Sequence, residues 1–120
     1  MSSRNEVLQS VLDIGRATSM RGEGISLNTA LSRVNYAGVR SELRINEVVE
    51  ELRANPKLIE DWIQYCEDKR TTGGWYLDPQ KLEIGELRNS SSLRAFQTLE
   101  EAVAAYVLAE LDFWASLNAA

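Results

Sequence analysis

The stretch Glu67-Asp68-Lys69-Arg70-Thr71-Thr72-Gly73-Gly74-Trp75-Tyr76-Leu77-Asp78-Pro79 is where the periodicity of this chain changes. Before it, apolar residues recur with helical spacing; after it, they alternate as in a strand. Four successive charges end the helical pattern, two glycines supply the stop, and an aromatic run follows. The reading on either side decides the fold: helices first, then a short sheet. The same segment gathers a charge cluster, a backbone hinge and a Trp-Tyr pair, which makes it the first place to expect a binding surface.

Working backwards from the junction, Leu58, Ile59, Trp62, Ile63 and Cys66 fall on one helical face, with Glu60, Asp61, Gln64 and Glu67 mostly outward. Asn55 and Pro56 fit the cap and first residue of that helix. A preceding helix from Asn46 buries Val48, Val49 and Leu52 and stops at Asn55, because a residue before proline avoids α geometry. Ser26 can cap another helix with Leu27, Ala30, Leu31 and Val34 inward, its pattern continuing weakly through Tyr36 and Val39 past Gly38. The first helix starts from the capping-box spacing of Ser3 and Glu6 and is expected to run unbroken to Arg16–Ser19, before Arg21-Gly22-Glu23-Gly24.

Working forwards, Trp75–Leu77 and Leu82–Leu87 read as two strands joined by Asp78-Pro79-Gln80-Lys81, with Pro79 suited to the second position of a type I turn. Trp75 and Leu77 would share a face with Leu82 and Ile84. A lone hairpin is marginal in water, so a third strand over Leu93–Gln97, after a polar turn Asn89–Ser92, or a covering helix is expected. Thr98 and Glu101 form a capping box opening a closing helix, with Leu99, Val103, Tyr106, Val107, Leu111, Trp114 and Leu117 along one face. The expected architecture is α+β: one domain over 1–120, a helical N-terminal half, a short antiparallel hairpin or three-stranded meander, and a closing C-terminal helix.

Composition narrows the function classes. With 120 residues, the chain suffices for one core without staples. It has no stretch of membrane-spanning length, no apolar leader after Met1 and a single cysteine, so a cytoplasmic protein off the membrane is expected. Histidine is absent, which removes imidazole acid–base catalysis and the commonest transition-metal ligand; no metal and no cofactor are expected. Residues 1–44 carry a balance of +2 and residues 45–120 one of −7, for a net charge of −5. An acidic chain neutralises phosphate backbones poorly, so nucleic acid is not an expected partner.

Few residues remain as carriers of chemistry. Cys66 sits on an apolar helix face and reads as a buried structural thiol. The acids Glu110 and Asp112, on either side of Leu111, interrupt an aromatic-rich run and are expected to pair with an arginine from the N-terminal half. At the junction, Trp75 and Tyr76 rimmed by Lys69, Arg70 and Asp78 form the candidate protein-binding surface, since aromatics and arginine dominate interface hot spots. The leading expectation is therefore a non-enzymatic interaction domain, either homodimeric or an inhibitor-like partner of a basic protein. A small-ligand protein or an arginine–carboxylate enzyme is the alternative, with Arg21, Tyr36, Arg40, Glu67 and Arg70 around a pocket between hairpin and N-terminal helices. In general style the chain is similar to small bacterial immunity proteins and to orphan cargo of mobile elements, with no motif that identifies it as either.

Overall fold

Local sequence signals set most of the element boundaries in the computed structural model, which describes residues 4–18, 24–68, 73–87 and 89–118, with residues 4, 5, 89–91 and 118 described by backbone alone. The N-terminal half contains α1 (Arg4–Leu12), α2 (Ile14–Ala17), α3 (Leu27–Arg33), α4 (Tyr36–Val39), a single 3-10 turn (Arg40–Glu42) and α5 (Ile45–Ala54). Then come α6 (Pro56–Asp68), strands β1 (Trp75–Asp78), β2 (Glu83–Glu86) and β3 (Asn89–Ala95), and the long helix α7 (Leu99–Asn118). The α+β architecture with a helical first half and a closing helix is the one the sequence predicts.

The caps carry the physical reasons. Ser26 Oγ accepts the Thr29 N–H at 3.1 Å and starts α3. Thr98 Oγ1 accepts the Glu101 N–H at 3.2 Å and donates to the Glu101 carboxylate at 3.0 Å, the predicted capping box of α7. The first helix departs from expectation because it breaks at Asp13. Gly15 lies against Trp62, where a Cβ would stand 2.9 Å from the indole Cδ2. The Trp62 indole N–H also donates to the Leu12 carbonyl at 2.9 Å. That carbonyl sits at the end of α1, where no helical partner reaches it, so Trp62 takes the place of the missing backbone donor.

The sheet is a meander of order β1-β2-β3, antiparallel throughout. Trp75, Tyr76, Leu77 and Asp78 pair with Glu86, Gly85, Ile84 and Glu83 respectively. Leu77 and Ile84 are buried against α7, as predicted. Two expectations fail here. Leu82 is not a strand residue; it holds a left-handed φ of 56° in the turn, kept there by packing against the core. The third strand begins at Asn89 rather than Leu93, so the serine run reads as strand, with a bulge between its pairings to Ile84 and Glu86. Serine's weak strand propensity hid it, and the Ser92 hydroxyl accepts the Glu86 N–H at 2.7 Å in place of a ladder bond.

Helix α7 is the hub rather than a one-faced lid. Residues Ala102–Leu108, Glu110 and Leu111 are all buried, because α5, α3 and α6 pack around it together with the inner face of the sheet. Its C-terminal Leu117, expected inward, is 56% exposed since the helix outruns the layers beside it. No described helix is long and apolar enough to cross a membrane.

Candidate functional site

The sheet has two faces and two edges, and the structure treats each differently. Edge strand β1 is closed by side chains. The Trp75 N–H donates to Glu110 Oε1 at 2.8 Å, and the Leu77 N–H to Cys66 Sγ at 3.3 Å. Tyr65 donates its hydroxyl to Glu110 Oε2 at 2.8 Å. Glu110 is fully buried on α7, so it joins α6, α7 and the first strand at one point. The sequence expectation that it pairs with an N-terminal arginine misses this role. Cys66, part-buried where the sequence reading expects it buried, acts as a hydrogen-bond acceptor at the edge.

Asp112 does follow the expectation. Its Oδ1 accepts Arg40 Nε at 2.8 Å and the Tyr36 hydroxyl at 2.7 Å. Arg40 also donates through Nη1 to the Leu43 carbonyl at 3.1 Å. Both charged side chains are more than a third exposed, at 38% and 43%, so the pair is screened and orients more than it stabilises. The hydrogen bond from Arg40 to Asp112 raises the guanidinium further above its ordinary range. Burial, then the hydrogen bond to the Asp112 carboxylate, pushes the Tyr36 hydroxyl far up as well.

Between the inner face of the sheet and the Arg40–Ile45 segment lies an open groove of about 560 Å³ with a stripe of α7 as its floor. Ala105, Leu108, Ala109, Asp112 and Phe113 recur there at helical spacing. Trp75, Glu86 and Arg94 form the sheet-side wall, and Arg40, Leu43 and Ile45 the other. The Arg94 guanidinium stacks over the Trp75 ring at 5.7 Å from its centroid. Arg40 and Trp75 thus come together although the sequence assigns them to different candidate surfaces. Arg94 carries no signal in the sequence beyond its place in the expected third strand.

The outer face has another character. Tyr76, Asp78, Glu83 and Gly85 point away from α7, since they alternate with the buried Leu77 and Ile84. The Tyr76 ring lies over Gly85, where a Cβ would be only 2.7 Å from its hydroxyl. Asp78 Oδ1 closes the turn by accepting the Gln80 and Lys81 N–H groups, both at 3.1 Å. Asp78 also stands directly opposite Glu83, and neither carboxylate has an ion-pair partner among the described residues. Leu93 on β3 and Leu87 just beyond β2 are 50% and 43% exposed.

Trp75 and Tyr76 therefore serve opposite faces and do not form one patch. Lys69, Arg70 and Arg21 lie outside the described residues. Glu67 is exposed at the end of α6 and does not line the groove. Among the described residues no group of histidine, cysteine or acidic side chains is placed to hold a metal ion. No protein-family model, curated protein or solved structure gave a significant match to this chain.

Proposed function

We propose that this protein is an acidic interaction domain whose outer sheet face docks a partner protein presenting an apolar patch rimmed by Lys or Arg. One observation carries the reading: Asp78 and Glu83 face each other across β1 and β2 with no ion-pair partner among the described residues, beside the Tyr76 ring and the exposed Leu93. Like charges in directly opposed cross-strand positions cost stability. Asp78 has a local reason to be acidic, because it caps the turn. Glu83 has none among the described residues, and a basic side chain from a partner would supply it.

The wider charge supports the same direction. A net charge of −5, concentrated after residue 44, accelerates encounter with a basic protein. Tyr76 and the leucines give the apolar centre that an interface core requires, and the two carboxylates give a polar rim. Two copies of this chain would instead bring four carboxylates together, so self-association through this face is disfavoured.

Light scattering on the isolated protein at low and high salt is the test. The reading requires a monomer at both. A dimer that persists at both would overturn it in favour of an apolar homodimer.

A further inference from the structure

We infer that the groove on the opposite side of the sheet is a binding site for a small zwitterion with an apolar body, in chemical class a free aliphatic or aromatic α-amino acid. The argument starts from charges that the fold does not use. Arg94 and Glu86 both line the groove, and among the described residues neither has an ion-pair partner. Arg94 pairs in register with Ile84, two residues along β2 from Glu86, so the two charges are diagonal neighbours on one face. They lie within reach of one small molecule and do not neutralise each other.

The Arg94 side chain is also held in place. The cation–π contact with the Trp75 indole holds the guanidinium at the groove wall, where its N–H groups can bond a planar carboxylate in bidentate fashion. Glu86 is then the acceptor for an ammonium. Ala105, Leu108 and Ala109 supply an apolar floor, Leu43 an apolar wall, and Phe113 an aromatic end. The volume of about 560 Å³ falls within the range of small-molecule sites.

Charge balance selects the ligand class. The lining holds two arginines and two carboxylates, Arg40 with Asp112 and Arg94 with Glu86, so its formal charge is zero. A phosphate dianion would meet two carboxylates, and a simple amine two guanidiniums. A zwitterion matches both unpaired groups, and its apolar side chain covers the floor. This site is separate from the outer face, so its test and that of the docking surface fail independently.

The test is NMR titration of the Arg94 Nε–H and Trp75 indole N–H signals with L-leucine, isovalerate, isopentylamine and inorganic phosphate. Isopentylamine is leucine without its carboxylate, and isovalerate keeps the isobutyl group and the carboxylate without the ammonium, one methylene shorter than deaminated leucine. Leucine is expected to shift both signals with a dissociation constant of about 1 mM. Isovalerate and isopentylamine are each expected to bind at least about tenfold more weakly, one charge contact being lost in each. Arg94→Ala and Glu86→Ala, both near the surface, should each weaken leucine by a similar factor with an unchanged circular dichroism spectrum. Arg94→Lys should recover only part, because an ammonium cannot bond bidentately. Absence of any leucine-dependent shift, or equal shifts from phosphate or isovalerate, would overturn the proposal.

Discussion

At the scale of single residues, the buried polar groups decide what holds and what strains. Glu110 accepts from Tyr65 and from the Trp75 backbone while fully buried, so Glu110→Ala leaves two part-buried donors unsatisfied. We expect a loss of about 2–4 kcal/mol in chemical denaturation, with Glu110→Gln losing less because one acceptor remains. Tyr106 is the converse case. Its hydroxyl is buried without a hydrogen-bond partner among the described residues. Tyr106→Phe should therefore be neutral or stabilising by up to about 1 kcal/mol, measured the same way. Neither role is legible in the sequence, since both depend on which strand passes beside α7. The Asp112–Arg40 pair was legible, because the acids of an apolar run call for a cation and the first half supplies arginines, although the same expectation fails for Glu110.

At the scale of elements, the periodicity of the sequence predicts the start of α3 and the helices α5, α6 and α7 to within a residue or two. The pattern expected to continue weakly through Tyr36 and Val39 instead breaks at Asn35, which holds a left-handed φ of 52°. The other failures share a cause in tertiary contact. Trp62 takes the Leu12 carbonyl and leans on Gly15, breaking one expected helix into two. Gly15→Ala should consequently destabilise the fold by about 1–3 kcal/mol, despite alanine's better helix propensity, because the indole must shift. The serine run of β3 becomes a strand because β2 and the Ser92 hydroxyl hold it. On the hairpin, Glu83→Gln removes the opposed like charges and should raise stability by about 0.2–1 kcal/mol. The same change should weaken the partner complex, and that opposite response separates a docking carboxylate from a structural one.

At the scale of the whole molecule, the candidate surfaces were only half legible. The sequence placed an aromatic pair and charges at one junction, but a strand sends Trp75 and Tyr76 to opposite sides, so one expected patch becomes two. The groove needed the return of Arg94 on β3 and the stripe of α7, neither visible before the elements are assembled. The tyrosines give the molecule a global pH response. Burial is the main cause that raises Tyr36, Tyr65 and Tyr106 above the ordinary value of 10.0. A group whose folded-state value is raised contributes stability that is present below pH 10 and lost as the pH climbs beyond it. With three such groups the slope reaches about 4 kcal/mol per pH unit. Alkaline unfolding should thus be steep and coincide with the appearance of tyrosinate absorbance.

The central claim is that the outer sheet face meets a basic protein. The most direct measurement places a photo-crosslinking amino acid at Leu93, with a second copy at the exposed Glu50 on α5 as control, in the native host. Mass spectrometry then identifies the adduct. The account predicts one partner of net positive charge, crosslinked through residues near its own Lys or Arg, from Leu93 and not from Glu50, with the yield falling at raised salt. An adduct of the chain with itself, a partner of net negative charge, or labelling confined to the helical side would contradict it.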